Sequence, residues 1–193
     1  LNIVVGGSTS NHRNIISGNS WNGAYLWGAN GDNNTVQYNY IGTDKAGTAA
    51  VANSFEGTGH AGIVIKNSAD NIIGGSSSEL GNIISGNASD GIYINGASSS
   101  GNLLASNYIG IDNTGISELS NQGNGVVIKG GASDNTVGGN TSPYRNVISG
   151  NSGSGIVLDG SGTNINEILG NYIGTSFNGT SAIANGNHGI YII

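Results

Sequence analysis

Residues 14–19 read NIISGN, residues 82–87 repeat the phrase letter for letter, and residues 146–151 return it as NVISGN, at offsets of 68 and 64 residues. Between these copies NYIG recurs at Asn39, Asn107 and Asn171, and a third phrase closes on paired glycines at Gly6 and Gly7, Gly74 and Gly75, and Gly138 and Gly139. Three phrases kept in one order along the chain describe a solenoid, in which each unit buries its apolar face only by stacking on its neighbours.

Outward from these phrases, one short alternating segment resolves the period into two coils. It appears as GAYL at 23–26, GIVI at 62–65, GIYI at 91–94, GVVI at 125–128, GIVL at 155–158 and GIYI at 189–192. The intervals between its glycines are 39, 29, 34, 30 and 34 residues, so longer coils alternate with shorter ones. In the short coil this strand leads to the double-glycine segment and then NIISGN; in the long coil it leads to an Asn-led segment such as NLLAS at 102–106 and then NYIG. Period-2 alternation places Ile63, Ile65, Ile92, Ile94, Val126, Ile128, Ile156 and Leu158 inside.

Three short strands per turn, unequal loops and no six-residue beat predict an all-β chain. The expected fold is a right-handed parallel β-helix of about six coils, forming one repeat domain over residues 1–193, since strand crossovers within a sheet are strongly right-handed. Asn14, Asn82 and Asn146, like Asn39, Asn107 and Asn171, fall at strand corners. There stacked side-chain amides are expected to form ladders that satisfy turn backbone, rather than to perform chemistry.

Composition fits a repetitive surface. The 193 residues include 36 Gly, one Pro and no Cys or Met, and only 8% are charged. Glycine and asparagine suit many tight turns. A net charge of −6, with Arg13, Lys45, Lys66, Lys129 and Arg145 as the only cations, argues against nucleic acid or an anionic membrane as partner. No apolar run reaches the length of a membrane-spanning helix.

The runs NVISGNSGSGIVLDGSGT (146–163) and GNYIGT (170–175) resemble the parallel β-helix repeats of large secreted or surface-attached bacterial proteins, and the likeness covers essentially the whole chain. That resemblance implies an extracellular or cell-surface location and often a carbohydrate nearby. The same repeat serves polysaccharide lyases, epimerases, phage tailspikes and adhesin-like stalks, so it implies a fold more than an activity.

A β-helix enzyme of the pectate lyase type needs acids around calcium and a basic Arg or Lys. The outward position after the recurrent strand is instead Trp27, Lys66, Asn95, Lys129, Asp159 and Ile193 on successive coils. With strands about 4.8 Å apart, Lys129 and Asp159 are expected to form an exposed ion pair. Asp44 and Asp112 sit at equivalent places after NYIG, but the third copy has Ser176, and TDKAGT at 43–48 reads as an Asp-opened turn. Asp70 and Asp134 read as turn formers. His12, His60 and His188 lack zinc-ligand spacing, although His60 and His188 both precede first-strand glycines in long-coil loops. No catalytic, cofactor-binding or metal-ligating residue is therefore assigned.

The surface expected to matter is apolar. Tyr25, Val64, Tyr93, Val127, Val157 and Tyr191 lie outward between the buried positions and form a stripe. They read as good strand formers on a solvated sheet or, together with Trp27, Lys66, Asn95, Lys129 and Asp159, as a contact face for a polysaccharide, a neighbouring solenoid or a packed loop. A second outward row holds Tyr40, Tyr108 and Tyr172 with Ile15, Ile83 and Val147 between them. The long loop at 43–61 carries five extra residues that are expected to fold over part of the first stripe. Regular threonine rows of an ice-binding face are interrupted, because Ile111 stands where Thr43 and Thr175 stand.

Both ends fall inside a coil. Either the chain is an excerpt of a longer array, or copies stack head to tail into filaments through Ile190 and Ile192 against Val4 and Val5. The reading that follows is a non-catalytic extracellular scaffold, spacer or fibre element, with carbohydrate binding or processing as the alternative.

Overall fold

A computed structural model describes residues 2–53 and 60–193. The first coil runs β1 (Val4–Gly6), β2 (Ile15–Ile16) and β3 (Ala24–Trp27), and the second β4 (Thr35–Gln37), β5 (Tyr40–Ile41) and β6 (Ala61–Lys66). The third runs β7 (Ile72–Gly74), β8 (Ile83–Ile84) and β9 (Asp90–Asn95), and the fourth β10 (Leu103–Ala105), β11 (Tyr108–Ile109) and β12 (Val126–Lys129). The fifth is β13 (Thr136–Gly138), β14 (Val147–Ile148) and β15 (Ile156–Asp159), and the sixth β16 (Glu167–Leu169), β17 (Tyr172–Ile173) and β18 (Ile190–Ile192). Equivalent strands of successive coils pair in three six-stranded sheets, β1-β4-β7-β10-β13-β16, β2-β5-β8-β11-β14-β17 and β3-β6-β9-β12-β15-β18. Each strand pairing in them is parallel. The molecule is the expected three-sided parallel β-helix.

The aliphatic wall lies where alternation puts it. Ile63, Ile65, Ile92, Ile94, Val126, Ile128 and Ile156 are fully buried. Val36, Ile73, Leu104 and Val137 from the first sheet meet them in one core with Ile41, Ile84, Ile109 and Ile148 from the second. Branched side chains suit this geometry because a pleated strand holds them in their preferred rotamers while each stacks on its copy in the next coil.

Strands of two to six residues need well-made corners, and asparagine supplies them in three columns. At the corner between the first and second sheets, Asn14, Asn39, Asn82, Asn107, Asn146 and Asn171 stack. Each Oδ1 accepts from the backbone N–H and the Nδ2 of the asparagine one coil earlier, at 2.9–3.2 Å. From the second coil on, each Nδ2 also donates at 2.8–2.9 Å to a first-sheet carbonyl one coil earlier: Val5 from Asn39, Val36 from Asn82, Ile73 from Asn107, Leu104 from Asn146 and Val137 from Asn171.

A second column, Asn19, Asn53, Asn87, Asn121, Asn151 and Asn185, follows the second sheet by the same rule. A third, Asn34, Asn71, Asn102, Asn135 and Asn166, precedes the first sheet. The residues just before this third column, Asn33, Asp70, Gly101, Asp134 and Ile165, all have φ between 54° and 65°. That left-handed turn suits Asn, Asp and Gly and strains only Ile165.

The two coil types differ in where they carry extra chain. Short coils insert a 3₁₀ turn between first and second sheets, at Ser10–His12, Ser78–Leu80 and Ser142–Tyr144. Long coils insert a hairpin after the second sheet, closed by the antiparallel bridges Thr43 to Ala50, Ile111 to Glu118 and Thr175 to Ala182.

Asn107→Ala would strand the buried N–H and Nδ2 of Asn82 and the carbonyl of Ile73. Each orphaned group costs about 1–3 kcal/mol, so a thermal melt is expected to show a loss of at least that size. Lys129→Ala, which removes an exposed ion pair, is expected to change stability by less than about 1 kcal/mol.

Candidate functional site

The register of the third sheet aligns Tyr25, Val64, Tyr93, Val127, Val157 and Tyr191 in one outward row, and Trp27, Lys66, Asn95, Lys129 and Asp159 in the next. The first row is not an evenly exposed stripe, and here the sequence expectation is corrected. Tyr25 and Tyr191 are 50% and 40% exposed, whereas Val64, Val127 and Val157 are 1%, 6% and 9% exposed. A valine ends well short of a tyrosine, so the valines are recessed floors among taller neighbours.

Two hollows result. The larger, about 590 Å³, is lined by Trp21, Asn22, Tyr25, His60, Val64, Lys66, Tyr93 and Asn95. Trp21, three residues before β3, and His60, one before β6, meet edge to face, their ring centroids 5.1 Å apart. The Nδ1 of His60 is buried with no hydrogen-bond partner among the described residues. Burial pushes the Tyr93 hydroxyl pKa up. The smaller hollow, about 310 Å³, holds Asn124, Ser154, Val157, Asn187, His188 and Tyr191, with His188 and Tyr191 rings 4.9 Å apart. Between the hollows Lys129 and Asp159 form the expected ion pair at 3.1 Å, and the bond to Asp159 raises the Lys129 pKa. His60 and His188 lie just ahead of β6 and β18, strands four steps apart, about 19 Å, so they do not share a site. Residues 54–59 of the long loop expected to cover this face lie outside the described residues.

The residue before each third-sheet glycine forms a further polar column. Asn22 Oδ1 accepts from Ala61 N–H, Asp90 Oδ1 from Asn124 N–H, Asn124 Oδ1 from Ser154 N–H, and Ser154 Oγ from His188 N–H. Asp90 alone is a carboxylate in this column, and it is buried. Desolvation raises its pKa, opposed by the two bonds from Asn124.

On the second sheet, Ile15, Tyr40, Ile83, Tyr108, Val147 and Tyr172 form the expected outward row. A hollow of about 360 Å³ lies over it, and its lining includes Arg13, Tyr38, Tyr40, Ile83, Tyr108, Arg145 and Phe177. Arg13 places its guanidinium carbon 4.1 Å from the Tyr40 ring centre and 4.5 Å from that of Tyr38, and Arg145 sits 4.1 Å over Tyr172. Sequence reasoning treated the arginines as isolated charges. The signal was their shared place, one residue before NIISGN or NVISGN, with Gly81 there in the middle copy.

The acidic residues singled out in the sequence serve turns. Asp44 Oδ1 accepts from Thr48 and Ala49 N–H, which lowers its pKa, and Asp112 Oδ1 accepts from Thr114 and Ser117. Among the described residues no three His, Cys, Asp or Glu side chains gather as a metal site would require. At the ends, Ile190 and Ile192 occupy inward positions on β18 opposite Ile156 and Leu158. Val5 packs against the core while Val4 points outward. Compared with protein-family models, curated proteins and solved structures, the chain matches none.

A raised carboxyl pKa means that the fold favours protonated Asp90, so stability falls as pH rises through and above the ordinary carboxylate range. Asp90→Asn keeps the acceptor for Asn124 and removes the charge. Melts are expected to show the variant more stable than the parent at neutral pH, with the gain vanishing in acid below about pH 3.9. An equal difference at all pH values would contradict desolvation as the cause.

Proposed function

We propose that this chain is a non-catalytic extracellular scaffold, a spacer or fibre element built by coil stacking. The observation that carries this reading is where the polar side chains are used. The three asparagine columns bond to the chain itself coil to coil, and the turn aspartates Asp44 and Asp112 bond within their own hairpins. Each two-coil repeat therefore adds about 10 Å of self-supporting length and leaves loops free to vary outside it. The resemblance to secreted β-helix repeats supports the extracellular setting.

The hollow around Trp21, Tyr25 and Tyr93 favours a second reading, in which the scaffold also holds a glycan. Aromatic faces next to Lys66, Asn95 and Asn22 offer an apolar platform with hydrogen-bonding groups at its rim.

Incubation with uronate and neutral polysaccharides, with and without calcium, tests both. The scaffold reading expects no unsaturated product absorbing in the ultraviolet, and its appearance would overturn that reading. The glycan reading expects retention on one of these polysaccharides that Tyr93→Ala abolishes; no retention, or retention unaffected by the substitution, would remove it.

A further inference from the structure

We infer that the groove over the second sheet binds a linear glycan bearing carboxylates, with a sugar ring on Tyr108 and anionic units reaching Arg13 and Arg145. The two-coil repeat builds both walls. On one side the long-coil hairpins bend back over the tyrosines: a Cβ on Gly47 would stand 2.8 Å from Tyr40, one on Gly115 3.0 Å from Tyr108, and one on Gly179 3.1 Å from Tyr172. On the other side the short-coil 3₁₀ turns deliver the residues at positions 13, 81 and 145. Arginine at the first and last of these caps Tyr40 and Tyr172. Glycine stands at the middle one, because a Cβ there would come 1.9 Å from the Ser106 carbonyl oxygen. Tyr108 thus lacks the guanidinium lid its two equivalents carry, and it remains partly exposed with Phe177 beside it.

Charge selects the ligand. Arg13 and Arg145 are the only arginines in a chain of net charge −6. Neither forms an ion pair among the described residues, where Lys129 with Asp159 is the one pair. The Nε of Arg145 donates to the Gly170 carbonyl at 2.8 Å, and the Nε of Arg13 is buried with no acceptor among the described residues. Both guanidinium carbons sit over tyrosine rings, and a guanidinium held in place this way is ordered in advance for a planar carboxylate. They lean over strands four steps apart, about 19 Å, with Tyr108 midway. A small anion cannot reach both, whereas a chain with repeated carboxylates can. Between the two arginines a peptide would find no strand edge to pair with, because β5, β8, β11 and β14 are each paired on both sides and only the end strands β2 and β17 keep a free edge. Ser78, Asn113 and Ser142 in the lining match hydroxyl groups instead. Asp112, on the hairpin after Tyr108, is occupied by Thr114 and Ser117.

The test is calorimetric titration with a hexamer of α-1,4-linked galacturonate, its fully methyl-esterified form, and poly-glutamate of similar length. The acid hexamer is expected to bind, with the ester and poly-glutamate each weaker by on the order of tenfold or more, the loss of one charge-assisted contact or of ring stacking. Arg145→Gln and Tyr108→Leu, with unchanged circular dichroism, are expected to weaken it similarly, and Glu167→Gln on the first sheet to leave it unchanged. Absence of binding by the acid hexamer, equal binding of ester or poly-glutamate, or full affinity in either groove variant would overturn the assignment. Cleavage of the hexamer would count against the scaffold reading alone.

Discussion

A buried side-chain amide that bonds both forward and backward along the stack is the interaction on which the rest depends. Strands of two residues, such as Ile83–Ile84 and Tyr108–Ile109, have too few ladder bonds to hold three sheets at sharp corners. At each corner the backbone turns away from its neighbours, and its N–H and C=O groups would be left in a dry interior at a cost of about 1–3 kcal/mol apiece. Asparagine is the side chain of the right length with both a donor and an acceptor. Serine supplements it where the turn is tighter, as when Ser85 Oγ donates to the Ile111 carbonyl and accepts from Gly110 N–H.

Because the corners and core satisfy themselves, the outer surface is free to be shaped by insertions. Alternation of coil types does this with a period of two coils. The 3₁₀ turns and hairpins stand on opposite margins of the second sheet, and the hairpins lean on one another, with Asn113 N–H donating to the Gly47 carbonyl and Phe177 N–H to the Gly115 carbonyl. A strictly uniform coil would have given a flat face. Departures from uniformity, Gly81 between two arginines and Trp21 with His60 in the opening coils, are what make hollows.

The fold was legible because a period in sequence is a period in space, and the inward aliphatics and the Asn14 to Asn171 column followed from it. The Asn19 and Asn34 columns sit in the same phrases but were passed over, since their strand corners become visible only when the loops are aligned. Alternation correctly put Val64, Val127 and Val157 on the outside, yet it reports which face a residue takes and not how tall its neighbours are. Arg13 and Arg145 lie 132 residues apart, and only coil-to-coil register shows that they flank one tyrosine. Nothing in the sequence alone marks Asp90, which only its column, otherwise Asn, Ala, Ser and His, shows to be a buried acceptor.

Amide hydrogen exchange tests the central claim most directly. If the asparagine columns hold the stack, the backbone N–H groups of Asn39, Asn82, Asn107 and Asn146, each donated to the amide oxygen of the next coil, should be among the slowest in the chain. They should then open only with global unfolding. Exchange of these amides as fast as that of the exposed hairpin residues Thr48 and Ala49 would contradict the account.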